Sequence, residues 1–216
     1  MKFGMGQSVR RTEDVRFVTG RGQYTDDMTT PDQAHAAVVR SPHAHARVLS
    51  VDVEAARAAP GVLAILTHTD IAHLGTMPCL APLKNSDGSD FKPTPLPLLA
   101  QDRVRWVGQP VAFVVAETQT QARDAAALVE VDYDAMPAAG TIGAAIAEGA
   151  PTVWDHAPGN LCFDWAAGNA AAVDAAFKSA AHTVSLDVVQ NRVVANAMEP
   201  RAAIGDYDKA KDHYTL

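Results

Sequence analysis

The chain has 216 residues, of which 48% are hydrophobic and 20% are charged, a composition typical of a globular protein with a normal core. The formal net charge of −7 argues against a protein that tracks nucleic-acid phosphates, because such proteins need clustered Lys and Arg. The two cysteines, Cys79 and Cys162, belong to no Cys-x-x-Cys pair, so they supply no iron-sulfur ligand set. Composition thus disfavours a nucleic-acid partner and leaves an enzyme or an assembly module open.

Residues 1–30 are polar and contain Gly20 and Gly22, so they predict an extended arm. Arg10 and Arg11 suggest a twin-arginine export signal, but a Thr-Glu-Asp sequence follows them in place of an apolar stretch. No window is long and apolar enough to span a bilayer. We therefore expect a cytoplasmic protein without a membrane span.

Strands and short helices are then predicted to alternate. Residues 34–40 and 47–51 predict two strands joined by a turn at Ser41 and Pro42, and residues 62–66 predict a third strand. These elements indicate a mixed fold of strands and helices.

Two short helices are predicted from their capping residues. Asp52 is expected to cap a helix that ends at the Pro-Gly pair of residues 60–61. Thr67 with Asp70 predicts a second capped helix, which ends at Gly75.

Residues 76–101 form a proline-rich segment that is much longer than ordinary connections of roughly 2 to 6 residues. We expect this segment to contact the rest of an assembly. A disordered surface loop is the alternative.

The most informative segment is "RVRWVGQPVAFVVAETQTQARDAAALVEVDYDAMPA", residues 103–138. Its unbroken apolar run at 111–116 is typical of a strand covered on both faces. Thr118 and Gln121 predict a capping box, in which each side chain bonds a backbone donor at the start of a helix. The segment therefore predicts a strand-helix-strand unit, with the helix at 119–128 and the second strand at 129–133.

After residue 138 the sequence is rich in Gly and Pro and predicts a connection between domains. Asn169 is expected to cap a helix at 170–180. The runs "HTVSLDVVQNRVV", "RAAIGDYD" and "HYTL" in 182–216 predict three short strands. Three strands without a covering layer bury too little apolar surface to be stable alone, so we expect another segment or chain to complete this region.

Long stretches of the sequence resemble one family. The 103–138 segment, "RRTEDVRFVTGRGQYTDD" (10–27), "VVRSPHAHARVLSVD" (38–52) and "MEPRAAIGDYD" (198–208) are similar to the molybdopterin-binding large subunit of the xanthine dehydrogenase and aldehyde oxidase family. Bacterial carbon monoxide dehydrogenase-like members are the nearest in appearance. The resemblance implies an α/β fold of the α+β type, in which an a/b hammerhead domain precedes the start of a molybdenum-binding domain.

On this basis we predict four parts. These are an N-terminal arm at 1–14, the hammerhead domain at 15–140, a connecting segment with a helix at 141–180, and an incomplete molybdopterin-binding domain at 181–216.

The resemblance also implies a function. The complete enzyme would oxidise an aldehyde, an N-heterocycle or carbon monoxide, with water as the source of oxygen. It would use molybdopterin, with iron-sulfur clusters and FAD on companion subunits, and the remainder of the large subunit or a second chain would complete this one. The 216-residue chain alone is expected to hold no cofactor and to be inactive. The alternative is a non-catalytic hammerhead-like module that binds partner chains.

Few residues are candidates for chemistry. His43 and His45 are two apart, so on a strand both would project from one face as a metal pair would, but no third ligand is apparent and structural histidines are the better interpretation. Gly4 and Gly6 lack the preceding strand and the third glycine of a dinucleotide fingerprint.

Gly108 and Gln109 match a family position at the entry to the central strand, where a tight backbone approach would explain the glycine without a ligand. Glu199, between Met198 and Pro200, is a candidate for supporting the cofactor pocket without touching the cofactor, because similar family segments lead into the molybdenum domain. An ion-paired surface Glu beside Arg201 is the alternative. No residue is predicted to be catalytic or to bind metal.

Overall fold

The computed structural model describes residues 6, 8, 10–78, 80, 84–188, 196–197 and 201–216. Its α-helices are α1 (Asp14–Val18), α2 (Glu54–Arg57), α3 (His68–Ile71), α4 (Gln119–Ala127), α5 (Ile142–Ile146) and α6 (Ala170–Ser179). Short 3-10 helices span Thr25–Asp27, Ala72–Leu74 and Pro158–Asn160. Its strands are β1 (His35–Arg40), β2 (Ala46–Asp52), β3 (Val62–Leu66), β4 (Thr76–Met77), β5 (Leu96–Pro97), β6 (Arg103–Val104), β7 (Pro110–Ala116), β8 (Glu130–Ala135), β9 (Asp206–Asp208) and β10 (His213–Thr215).

The contacts divide the chain into two compact units. One unit is Ala34–Thr183, and the other combines Met1–Gln33 with Val184–Leu216. The larger unit holds both three-stranded sheets.

The first sheet has the order β1-β7-β3, and both outer strands run antiparallel to β7. Its register pairs His35 with Ala116 and Leu66 with Phe113. The apolar run of β7 is the pattern expected of a strand covered on both faces, and most of its side chains are buried. The predicted central strand is confirmed.

The second sheet has the order β6-β2-β8 and is also antiparallel. Here β2 is central and pairs Asp52 with Glu130 at one end and Ala46 with Ala135 at the other. The register slips between Val48 and Ser50, and the intervening Leu49 side chain is 59% exposed. Such a bulge bends a strand and increases its twist.

Two hydrophobic clusters form the core, and β7 contributes to both. Val114 belongs to a cluster under α2 and α4, whose other members are Val53, Ala56, Ile65 and Ala125. Val111 belongs to a cluster at the second sheet, whose other members are Ala46, Ala100 and Val104. Side chains three apart on a strand point to opposite faces, so β7 is packed on both sides.

The predicted strand-helix-strand unit is confirmed, and its two strands belong to different sheets. The two strands flanking α4 exist, but β7 lies in the first sheet and β8 in the second. Likewise β1 and β2 do not pair with each other across the turn at 41–42 but belong to different sheets. Each connection therefore crosses between sheets.

Two capping predictions need adjustment. The Asp52 carboxylate accepts from the Glu54 N–H at 2.9 Å, yet the helix is capped at Val53. The Thr118 hydroxyl accepts from the Gln121 N–H at 3.2 Å as predicted. The Gln121 side chain accepts from that hydroxyl at 2.8 Å and not from the Thr118 backbone.

Three other caps agree with the sequence. Thr67 and Asp70 form a complete capping box at α3, and the helical turns end at Gly75 with a φ of 75°. The Asn169 side chain accepts from the Ala172 N–H at 3.0 Å at the start of α6.

The long segment 76–101 forms hydrogen bonds with itself and with residues 161–164 of the same unit. From the sequence we expected either a contact with the rest of an assembly or a disordered loop, and neither expectation included these bonds. The ends of the segment pair as β4 and β5, and its middle bonds residues 161–164. The Ser86 N–H donates to the Asp164 carbonyl at 2.7 Å, and the Lys92 N–H donates to the Cys162 carbonyl at 2.8 Å. These bonds fasten the segment to the connection that follows the second sheet.

The smaller unit contains less regular structure. The predicted extended arm carries the short helix α1 and a 3-10 turn. Near the C-terminus, β9 and β10 form an antiparallel hairpin in which Tyr207 stacks on Tyr214 at 4.4 Å between ring centroids. The strand predicted from residue 182 is wrong for 182–188, which form no strand, because no described residue pairs with their backbone. No helix in the described part of the chain is suited by length and apolar character to cross a bilayer.

Candidate functional site

The turn between β6 and β7 joins several polar groups of the larger unit. Gly108 has a φ of +87°, a conformation that favours glycine. A side chain here would meet nothing within 4 Å, so the predicted tight backbone approach is wrong and the positive φ is the reason for the glycine. The Gly108 N–H donates to the Ser41 carbonyl at 2.8 Å. The Gly108 carbonyl accepts from the Arg40 guanidinium at 2.9 Å.

The buried Gln109 side chain bonds the backbone at the start of this turn. The side chain is fully buried, and its Oε1 accepts from the Arg105 N–H at 2.7 Å. Its Nε2 is buried without a hydrogen-bond partner among the described residues. Gln109 therefore holds the turn through a backbone donor that would otherwise be unsatisfied.

Arg105 extends from the turn across Trp154. Its guanidinium lies 4.0 Å from the Trp154 ring centroid, a cation–π geometry, and its Nε donates to the Val153 carbonyl at 3.3 Å. Burial lowers the pKa of Arg105, a change that Asp102 and Asp155 oppose by their charge. Arg105 stays charged at neutral pH and ties the turn to the connection after β8.

His45 makes a second contact with the connection that follows β8. The residue is 5% exposed, and its Nδ1 lies 2.9 Å from the Pro137 carbonyl oxygen. Because a carbonyl only accepts, neutral His45 carries its proton on Nδ1. Its Nε2 is buried without a partner in the described part of the chain.

His43 has a different environment from His45. Both lie in the connection between β1 and β2 and not on a strand, so the shared face expected for a metal pair does not exist. The His43 ring packs on Tyr133 with 4.9 Å between centroids. Burial raises the pKa of Tyr133, partly offset by the Ser41 hydroxyl.

A cavity of about 190 Å³ lies between the turn and the following connection. It is smaller than the roughly 300–1,000 Å³ of ordinary ligand pockets. Apolar side chains form most of its wall beside Arg105 and His45, and these are Trp106, Val107, Pro137, Pro151 and Val153. Its size and lining suit the packing of single side chains.

The other candidate residues do not join this cluster. Met198, Glu199 and Pro200 lie outside the described residues, as do Gly4 and Cys79. Arg201 and Gly6 are exposed.

The described side chains provide no direct ligand set for a metal ion. They contain no group of three or more His, Cys, Asp or Glu side chains placed to hold a metal ion. The polar cluster around Gln109 instead bonds backbone groups of its own unit.

Sequence reasoning missed the roles of Arg105 and Trp154. The four-residue spacing from Arg105 to Gln109 across a glycine turn could have predicted the bond from the Arg105 N–H to the Gln109 side chain. The pairing with Trp154 depends on the fold and has no local signal.

Comparison with known proteins places this architecture. Residues 19–137 match the family model for the aldehyde oxidase and xanthine dehydrogenase a/b hammerhead domain. The chain belongs to this family. Residues 153–216 match the molybdopterin cofactor-binding domain, so the fold and family expected from the sequence resemblance are confirmed.

Curated relatives match almost the whole chain. The large subunit of nicotine 6-hydroxylase from Paenarthrobacter nicotinovorans is 36% identical over 98% of this chain and 25% of the relative. The carbon monoxide dehydrogenase large chain of Afipia carboxidovorans is 36% identical over 99% of this chain and 27% of the relative. The chain thus spans about a quarter of the length of the curated relatives that it matches.

Solved structures agree with this assignment. A Cu,Mo carbon monoxide dehydrogenase superposes with a TM-score of 0.66 at 36% identity, covering 83% of this chain and 23% of that one. Quinoline 2-oxidoreductase from Pseudomonas putida 86 gives a TM-score of 0.58 at 43% identity, covering 65% of this chain and 17% of that one.

Proposed function

We propose that this chain is the N-terminal part of the large subunit of a molybdenum hydroxylase. The complete enzyme would oxidise an aldehyde, an N-heterocycle or carbon monoxide and take oxygen from water. The observation that carries the proposal is the succession of a hammerhead match at 19–137 and a molybdopterin-binding match at 153–216 in one chain.

In this proposal the described residues of the chain have a structural role. The Gln109, Arg105 and His45 contacts are structural, because each joins backbone or ring groups within the larger unit. The four parts at 1–14, 15–140, 141–180 and 181–216 remain our proposed division. Glu199 remains a proposed second-layer support for the cofactor pocket, as predicted from the family segment.

The proposal also specifies partners. Molybdopterin would be bound by the complete large subunit, with iron-sulfur clusters and FAD on companion subunits. The names of the relatives support the presence of companion subunits, since they include a large subunit and subunit gamma of a 6-hydroxypseudooxynicotine dehydrogenase complex. A cytoplasmic location stays a prediction from the sequence.

The first experiment is elemental analysis of the native complex captured through this chain from its own cells. We expect molybdenum and iron, together with larger partner polypeptides identified by mass spectrometry. Recovery of the chain alone, without either metal, would contradict the proposal and favour the alternative of a non-catalytic hammerhead-like assembly module.

A further inference from the structure

Residues 153–164 bond two separate parts of the hammerhead match, and we call these twelve residues the strap. At its first end, the Arg105 guanidinium lies 4.0 Å from the Trp154 ring centroid. The next residue, Asp155, pairs with Arg103 at 3.2 Å. These contacts fix the start of the strap to β6 and to the turn that follows β6.

The other end of the strap bonds the proline-rich segment. The Cys162 carbonyl accepts from the Lys92 N–H at 2.8 Å. The Asp164 carbonyl accepts from the Ser86 N–H at 2.7 Å, and the Asp164 N–H donates to the Asn85 side chain at 2.9 Å. Backbone groups of the strap are therefore paired with the proline-rich segment much as in a short sheet.

The middle of the strap has two further contacts. The Asn160 side chain accepts from the Val153 N–H at 2.9 Å and donates to the Pro151 carbonyl at 3.0 Å. Because a carbonyl only accepts, the His156 Nε2 carries a proton and donates it to the Pro93 carbonyl at 2.6 Å. The strap is thus held along its whole length.

The strap and the residues that it bonds have almost no core of their own. No residue of 84–98 is buried, and Ala157 is the one buried residue among 153–164. Ordering a backbone costs roughly 1–2 kcal/mol per residue in conformational entropy, and burial offsets little of that cost here. The order of each segment therefore depends on the bonds that it makes to the other.

The family matches divide this bonded region between two domains. The strap opens the 153–216 match to the cofactor-binding domain, whereas residues 84–93 lie in the 19–137 hammerhead match. Both belong to the same compact unit, Ala34–Thr183. We propose that the strap opens and closes as one cooperative unit, which holds residues 84–93 in place and fastens the start of the cofactor-binding match to the hammerhead. This inference goes beyond the proposed function and does not depend on the activity of the complete enzyme.

Amide hydrogen exchange of the 216-residue chain, followed by nuclear magnetic resonance, tests the cooperativity from the first end. Trp154→Ala should raise the exchange rates of the Ser86 and Lys92 amides, at the far end, about tenfold. Trp165→Ala is the matched control, because Trp165 lies just past the strap and is 60% exposed, and it should change these rates less than about twofold. The Val114 amide in β7 should exchange unchanged in both variants, since the core stays folded.

The reverse experiment starts from the far end. Asn85→Ala removes the acceptor of the Asp164 N–H and should raise the exchange rates of the Val153 and Ala157 amides about tenfold. Asp87→Ala is its control, because the Asp87 carboxylate bonds Ser89 within the same loop, and it should change those rates less than about twofold.

Three results would overturn the inference. One is a rise in exchange that stays at the mutated end in both variants, because the two ends would then open independently. Another is an equal effect of a variant and its control. The third is a tenfold rise that extends to Val114, because the strap would then open only together with the core.

Discussion

Helices α4 and α6 have similar local sequences but opposite surroundings. Both are alanine-rich, and both begin with a side-chain cap, Thr118 in one and Asn169 in the other. Helix α4 is the more polar, yet its Ala122 and Ala125 are fully buried against the first sheet, whereas no residue of α6 is buried. Caps and alanine content determine where a helix forms, and burial depends on which elements the rest of the chain brings to it.

The largest expected effect on the free energy of unfolding comes from introducing one charge into each helix. Ala125→Asp should lower the free energy of unfolding by about 3 kcal/mol or more, because it buries an unpaired carboxylate beside Val53 and Val114. Ala175→Asp in α6 should change it by less than about 0.5 kcal/mol in the 216-residue chain, since this position is exposed. Denaturant unfolding followed by circular dichroism measures both. Comparable losses would mean that α6 is part of the hammerhead core.

Removing the caps should give a smaller difference. Thr118→Ala should cost about 1 kcal/mol in the main unfolding transition, because the Gln121 N–H loses its acceptor. Asn169→Ala should leave that transition within about 0.5 kcal/mol and reduce only the helical content. Far-ultraviolet circular dichroism and the denaturation midpoint separate the two effects. If Asn169→Ala shifted the midpoint as much as Thr118→Ala, the two helices would be coupled.

The smallest effect is expected at α3, where a full capping box lies on an exposed helix. The Thr67 backbone N–H and hydroxyl donate to Asp70 at 2.7 and 2.8 Å and lower the pKa of Asp70. A lowered folded-state pKa stabilises the fold above the ordinary carboxylate value of about 3.9, and this stability is lost as pH falls through the folded value. Since Asp70 is exposed, Asp70→Asn should remove less than about 0.5 kcal/mol of that pH dependence.

Unfolding titrations below about pH 5 compare the two proteins. Identical acid profiles for the wild type and Asp70→Asn would show that the bonds from Thr67 do not persist in solution.

Local patterns predicted the elements well. The strand at 62–66 and the helices following Thr118 and Asn169 occur within a residue of their predicted bounds. These features depend on capping and side-chain periodicity, which are properties of neighbouring residues.

Sheet membership was beyond local patterns. The first sheet pairs His35 with Ala116, and nothing near either residue specifies that partner. The site shows the same limit, since Gly108 could be recognised from the sequence but the contact of Arg105 with Trp154 could not.

The pairing of β1 with β7 has a consequence for synthesis of the protein. Both outer strands of the first sheet precede their common partner β7, so β1 and β3 leave the ribosome before any strand exists to bond them. Long-range pairing of this kind is slow and leaves strand edges exposed while the chain is incomplete. The nascent hammerhead therefore exposes unpaired strand edges until Ala116 has emerged, and β8 must follow before the second sheet closes.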